Sequence, residues 1–427
     1  MSYKAIVTRI HTRELPGSDN IVIGNCLGYQ VLVNKNTVSG ELGIFFEYGG
    51  QLSEEFAVVH DLVRRKDDQG NNAGGYFEEN RRVRAVKMRG AKSEGFWVPI
   101  SYLKYTGTFD LKEGDQFDEL NGHKICNKYY TPQTLRAANR NQQRVVRDNT
   151  MFRKHVETEA FKRGLAVIPQ GAAIYISAKL HGTSFRYGHV LESTPIKRGK
   201  VKQFFATLCK RPTENKGWTH LNGSRNVVLS KCPETYEGFH GKEGFRFAAT
   251  RGVALHKGEV IYGELCGFTE TNEPIMAVQA TSKLKDKQIE KQFGGQMVYR
   301  YGAADGECKA FVYRITQVNE DGHVVELSWP QVVYRCQELG LAVVPHITQF
   351  FFNGDHCSLA EIVETLTEGE DGVVLSRLDP THIEEGVVVR YESAHGIGWL
   401  KNKCTLFGML EGYLKEKDDY VDTEEAA

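Results

Sequence analysis

The nine cysteines of this 427-residue chain include no Cys-x-x-Cys pair, and their number is odd. This argues against a zinc site or a disulfide framework and for reduced thiols, as in a cytoplasmic or nucleoplasmic compartment. No apolar run is long enough to cross a bilayer, so no membrane partner is expected. The opening Met-Ser-Tyr-Lys-Ala-Ile-Val reads as a strand, not as a signal peptide. Net charge is missing too, because 54 basic residues balance 54 acidic ones. Global charge therefore does not announce nucleic acid, and any basic surface has to be local. Internal repeats are also absent. What is present is 41% hydrophobic and 11% aromatic residues, enough for a sizeable core. The length suits two domains.

Residues 1–110 read as short strands separated by glycine turns: Lys4–Ile10, Asn20–Val33, Leu42–Tyr48, Arg82–Met88 and Gly95–Ile100. That pattern predicts a small β-barrel of OB type, with a loop over Asp67–Tyr76. Residues 111–150 form a basic connector. Thr131 and Pro132 can start a helix there, and Arg136, Arg140, Arg144 and Arg147 then share one face. Such a face is a solvated helix side or a phosphate-contacting ridge. Residues 151–412 alternate helices with Val/Ile-rich strands, which indicates an α+β domain. Its predicted strands include Ala173–Ala178, Gly258–Leu265, Glu385–Tyr391 and Leu341–Val344, and its predicted helices are Trp329–Leu339 and Leu359–Leu366. Residues 413–427 are an acidic tail.

Lys179 lies in Ala-Lys-Leu-His-Gly-Thr-Ser, followed at a distance by Ser224-Arg225, Glu264, Tyr313, Glu385, Lys401 and Lys403. A lysine amine bonds phosphorus only when neutral, so its pKa has to fall from about 10.4. Lys401 and Lys403 alternate on a predicted strand and face the same way. Beside a phosphate they would neutralise charge, and by like-charge repulsion they would favour the neutral form of Lys179. Glu264 and Glu385 are hard oxygen donors suited to Mg²⁺ or Mn²⁺. The fork of Arg225 suits a phosphate. In the first 110 residues, Arg82, Arg84 and Lys87 lie near Phe77, Phe96 and Trp97, a pairing that suits RNA or duplex backbone.

The ordered set from Lys179 to Lys403 resembles the motifs of the covalent nucleotidyltransferases, the superfamily of ATP-dependent ligases and capping enzymes. The resemblance implies an ATP-grasp-like ligase domain of antiparallel sheets and helices. It implies a lysyl-AMP adduct on Lys179, with Tyr313, or else Phe311, stacking on adenine. His181, Gly182, Arg225, Glu264 and Glu385 would complete the nucleotide site. Glu385 has a rival in Glu370–Val374, which lacks a counterpart of Arg390. His181 stands where DNA ligases and capping enzymes carry Asp, and this looks like RNA ligases. With 24 residues after Lys403, a C-terminal OB domain has no room. An N-terminal barrel instead resembles the Deinococcus-type ligases that seal 3′-OH/5′-phosphate nicks. The expected partner is RNA, including nicked duplexes with RNA or DNA strands, and the expected state is a monomer. A DNA ligase, a capping guanylyltransferase and an inactive nucleic-acid-binding homologue are the rival readings. Residues 185–260 and 268–310 exceed what the core fold requires and read as insertions.

Overall fold

The computed structural model describes residues 3–66, 69, 72–88, 91–130, 146, 149–196, 214–238, 240–284, 286–369 and 372–411. Two compact units emerge: Met1–Leu135 with Lys162–Leu165 and Gly408–Val421, and Arg136–Phe161 with Ala166–Phe407 and Asp422–Ala427. Both mix strands and short helices.

In the first unit a four-stranded antiparallel sheet runs in the order Gly95–Pro99, Leu42–Glu47, Ala5–Arg9, Gln116–Phe117. The pleat sends Ile44 and Phe46 into one core with Phe56 and Leu103, and Phe45 into another with Trp97 and Val31. Ser53 caps the helix Glu54–Val59, accepting the Phe56 N–H at 3.1 Å. The expected closed barrel is not found among the described residues. The span 20–33, read as one strand, is two strands, Ile21–Cys26 and Tyr29–Asn34. Leu27 and Gly28 turn the chain with φ of 52° and 76°. With His11–Glu14 these strands form a separate three-stranded meander, so their pairing is satisfied locally. Likewise, only Val86–Met88 of the expected strand 82–88 is extended.

The second unit holds two sheets. One runs Glu159–Ala160, Gly396–Lys403, Gly386–Ser393, Ala173–Lys179, His346–Phe351. The other runs Glu214–Gly223, Thr183–Pro195, Glu259–Gly267, Cys308–Val318, Val324–Glu326, with Ala342–Val343 beside Cys308–Val318. Ala-Ile-Tyr-Ile-Ser-Ala-Lys alternates strictly, burying Ile174, Ile176 and Ala178. Tyr175, Ser177 and Lys179 are left on the opposite face. The helix Trp329–Leu339 has the predicted bounds. Gln331 accepts the Ser328 N–H at 2.8 Å at its start, and Gly340 ends it at φ 66°. The second helix is longer than predicted, His356–Glu368, because the Asp355 carboxylate caps it by accepting from Cys357 and Ser358.

Candidate active site

Strand register brings the lysines together. Lys179 lies opposite Gly386, and Gly386 opposite Lys403. Two residues on, Ser177 lies opposite Val388, and Val388 opposite Lys401. Directly opposed residues share a sheet face, so all three lysines project from one side. Gly386 permits this close weave. Its φ is 148°, and a Cβ there would lie 2.1 Å from the Asn402 carbonyl oxygen.

Just before Gly386 sits Glu385, 1% exposed. Its Oε1 lies 2.9 Å from the Lys179 Nζ and 3.0 Å from the Lys403 Nζ. A carboxylate this buried needs such partners, because desolvation costs several kcal/mol per ion. The expected repulsion between Lys179 and Lys403 is thereby modified: a carboxylate stands between them. Lys401 lines the cavity instead. His181 lies near the same carboxylate, its Nδ1 3.9 Å from Oε2. Its ring packs edgewise on Tyr299 and Phe407 with centroids at 4.7 and 4.9 Å, and its backbone N–H donates to the Tyr301 hydroxyl at 2.7 Å. Gly182 has a packing reason of its own. A Cβ there would sit 2.4 Å from the Leu265 carbonyl oxygen and 2.8 Å from the Glu264 Cγ. The glycine thus lets the Lys179 turn lie directly against the Glu264 strand.

A cavity of about 100 Å³ opens beside Lys179, lined by Lys401, Arg225, Glu264 and Tyr313 together with His155, Ser184, Arg314 and Trp399. Tyr313 reaches it through a bulge. Tyr262 pairs with Arg314 but Gly263 pairs with Val312, which leaves Tyr313 as the extra residue. Phe311, the alternative stacking residue, is 5% exposed and pairs across to Glu264, and it is not among the lining residues. Tyr313 faces Trp399 edge-on at 6.4 Å. Its hydroxyl meets the His155 Nδ1 at 2.5 Å. Burial, then the Glu264 charge, pushes the phenol far up, so it stays protonated. Burial, then Arg186 and Arg225, pushes the His155 imidazole well down, so it stays neutral. Ser184 donates to the Glu264 Oε2 at 3.3 Å. Arg246 holds this corner through Thr183 Oγ1 at 2.6 Å and the Ser184 carbonyl.

His155, Ser184, Arg314 and Trp399 are the residues sequence reading missed. Trp399 and Ser184 had a signal, since each lies close in sequence to a motif lysine. His155 had none, because it meets Tyr313 across 158 positions. Of the basic residues expected to meet RNA in the first unit, Arg82 and Arg84 are described, and neither is fully open to solvent. Arg82 is 6% exposed and lies over the Tyr129 ring at 4.7 Å, and Arg84 is half-buried. Lys87 lies in Val86–Met88. Its side chain, Arg136, Arg140, Arg144 and Arg147, the rival pair Glu370 and Asp371, and the acidic tail lie outside the described residues.

Donor chemistry also bears on a divalent cation. Glu385 is held by two lysines, whereas Glu264 opens on the cavity among cationic side chains. One carboxylate, completed by water and phosphate oxygens, is an ordinary environment for Mg²⁺, so the residues fit the ion. No cluster of three His, Cys, Asp or Glu suited to a metal occurs among the described residues.

A lysine-rich sheet face with a buried carboxylate, beside a cationic cavity, defines a phosphoryl-transfer site. The sequence model of the RNA ligase family matches residues 172–403, more than half of the chain, and the chain belongs to that family. Curated protein sequences give no match. Among solved structures, a Naegleria gruberi RNA ligase mutant with ATP and Mn is 14% identical with a TM-score of 0.59, covering 97% of this chain and 99% of that one. A mutant of the same ligase with AMP and Mn gives 14% and 0.58 over 97% and 99%. The form with PPi gives 14% and 0.56 over 95% and 97%. These likenesses concern the fold.

Proposed function

We propose that the chain is an ATP-dependent RNA ligase that works through a lysyl-AMP on Lys179. The observation that carries this reading is the register placing Lys179, Lys401 and Lys403 on one face around the buried Glu385. The Lys179 ammonium first gives up a proton, and Glu385 Oε1 at 2.9 Å is positioned to accept it. The amine then attacks the α-phosphorus of ATP. A P–N bond forms, the P–O bond to pyrophosphate breaks, and pyrophosphate leaves. Lys401, Arg225 and Arg314 line the cavity where phosphate charge would sit. Tyr313 and Trp399 offer aromatic surface for the base. A cation at Glu264 would supply charge neutralisation at the phosphates. An RNA 5′-phosphate next takes the AMP and frees Lys179. Finally a 3′-OH attacks that phosphate, sealing the strand and releasing AMP. The family match and the ATP-, AMP- and PPi-bound states of the Naegleria ligase support this order.

The proposal extends to the sealing of nicks in duplexes, as in the Deinococcus-type ligases. The first unit would serve there as an OB-type substrate module, in a monomer. The free state of all eight described cysteines supports a reducing compartment, cytoplasmic or nucleoplasmic. The test is incubation with α-labelled ATP and Mg²⁺ or Mn²⁺. Wild type should carry label that survives a denaturing gel and alkali but is released by acid, as a P–N bond requires, and Lys179→Ala none. Label retained by Lys179→Ala, or label taken from GTP in preference to ATP, would refute the reading. Sealing assays with RNA or DNA on each side of a nick then separate RNA ligase from DNA ligase.

A further inference from the structure

The span 268–310 reads from the sequence as an insertion, yet one of its side chains reaches the Lys179 turn. Tyr301 is 1% exposed, and its hydroxyl accepts the His181 backbone N–H at 2.7 Å. That N–H sits in the turn between Ala173–Lys179 and Thr183–Pro195, beyond the last strand pair, Lys179↔Gly386. A buried N–H outside a ladder needs an acceptor of this kind. The Tyr301 backbone N–H in turn donates to the His382 Nε2 at 3.3 Å, and the two rings meet edge-on at 4.4 Å. His382 is buried, and its Nδ1 donates to the Ile383 carbonyl at 2.9 Å. The tautomer with its hydrogen on Nδ1 satisfies both contacts. Burial holds the His382 pKa below its ordinary value, which keeps that neutral form. Three residues on stands Glu385. Tyr301 thus joins two segments, one leading from Lys179 and the other into Glu385, the pair that meets at 2.9 Å.

The backbone at Tyr301 has a φ of 50°, in the left-handed region that a residue with a Cβ seldom occupies. Such a conformation persists only where its surroundings hold it. Here the next N–H, of Gly302, donates to the Asp379 carboxylate at 3.2 Å, beside the bond to His382. Burial, then Cys266, Glu384 and Glu385, pushes the Tyr301 phenol well up, so it stays a neutral hydroxyl. Tyr301 is not among the residues lining the cavity at Lys179, so it acts on the nucleotide through the residues it holds.

We propose that Tyr301 is a positioning residue for self-adenylylation, its hydroxyl fixing the turn from Lys179 to Gly182 against the segment that carries Glu385. The proposal rests on the ligase reading above, and it gives the insertion 268–310 a part in that chemistry. The lysine proton passes to Glu385 only while the two groups keep hydrogen-bond distance. Without the hydroxyl the His181 N–H loses this acceptor, and the turn relaxes. A small displacement of the reacting amine slows bound ATP more than it weakens ATP binding, because the cavity keeps its own contacts with the nucleotide.

The experiment measures the initial rate of label transfer from α-labelled ATP to the full-length protein, per folded molecule, over a range of ATP concentrations. Tyr301→Phe keeps the ring and removes the hydroxyl. Its limiting rate should fall about tenfold or more. The ATP concentration giving half that rate should stay within about twofold of wild type. His382→Leu removes the acceptor for the Tyr301 N–H and should lower the limiting rate in the same way. His382→Gln keeps an acceptor and should stay within about threefold of wild type. A Tyr301→Phe protein that melts lower but labels at the wild-type limiting rate overturns the proposal, because the bond then serves the fold alone. A loss confined to the half-saturating ATP concentration overturns it too, because the hydroxyl would then act in ATP binding. So does an equal loss in His382→Leu and His382→Gln. Absent label in wild type is the separate failure of the ligase reading, and the proposal falls with it.

Discussion

The two units both have apolar cores but differ in how much charge they bury. The first buries Phe46, Phe56, Ile44 and Leu103, with Arg82 as its deeply placed cation. The second buries Arg186, Arg246 and Arg390 at 0–1% exposure and Glu384 and Glu385 at 1%. Apolar packing is the cheaper route to stability, since a buried ion pair does little better than a hydrophobic replacement. Charge accumulated in one unit therefore points to geometry: it fixes side chains that have to meet a phosphate. Arg246 pins Thr183 and Ser184, while Arg390 joins Glu392 at 2.6 Å and lies over the Trp399 ring at 4.5 Å.

Removing one key group from each interior should produce opposite results. Glu385→Gln takes away the acceptor next to Lys179 and leaves two ammonium groups facing an amide. Self-adenylylation should fall roughly 100-fold or more, read as initial label incorporation per folded molecule. Phe46→Ala opens a cavity in the first unit and should cost about 3–5 kcal/mol of stability. Label incorporated per molecule that remains folded should not change. A stability loss with intact labelling in Glu385→Gln would erase the contrast between the units.

A smaller effect is expected at His155. His155→Phe keeps an aromatic ring against Tyr262, where the present contact is edge-on at 5.2 Å. It leaves the Tyr313 hydroxyl without its 2.5 Å partner. Ser184 remains a partner of that hydroxyl, so losing the bond costs about 1 kcal/mol, and the KM for ATP should rise about fivefold. Adding Tyr313→Phe should recover most of the stability and none of the KM. Strict additivity of the two substitutions in thermal melts would mean the pair is not coupled.

Most of the reactive set was legible because strand periodicity is local. Lys401 and Lys403 are two apart, and Glu385 adjoins a Val-rich strand, so the lysines' shared face follows from the sequence. The helix Trp329–Leu339 was equally plain, with Ser, Pro and Gly marking its ends. Features that depend on distant pairing were not legible. Nothing near Tyr313 announces the bulge that turns it, rather than Phe311, to the cavity. Nothing near His155 announces Tyr313. The single strand expected over 20–33 failed at Leu27 and Gly28, where a turn inside an apolar run made two strands of one. Arg82 read as surface charge because its sequence neighbours are basic, yet it packs on Tyr129, 47 positions away.

The least effect is expected at Glu384, and it depends on pH. Burial raises its carboxyl to about 7, against 4.5 for an ordinary glutamate, while Arg377 opposes the shift with Nη1 at 3.2 Å. The folded state thus keeps this proton where the unfolded chain has lost it. The associated stability is present below pH 4.5 and is lost as pH rises through about 7. Glutamine cannot ionise and escapes that loss. Glu384→Gln should therefore gain on wild type between pH 4.5 and 7 and then level off, by at most about 3 kcal/mol. Losing the Arg377 ion pair reduces this gain. Comparing variant with wild type at each pH cancels the buried histidines, whose lowered pKa values act in the other direction by withdrawing stability as pH falls below 6.5. Melting curves at pH 5 and pH 8 decide the matter. A variant less stable than wild type at pH 8 would mean that the Arg377 pair outweighs burial, and that the second unit's charges support the fold as well as the chemistry.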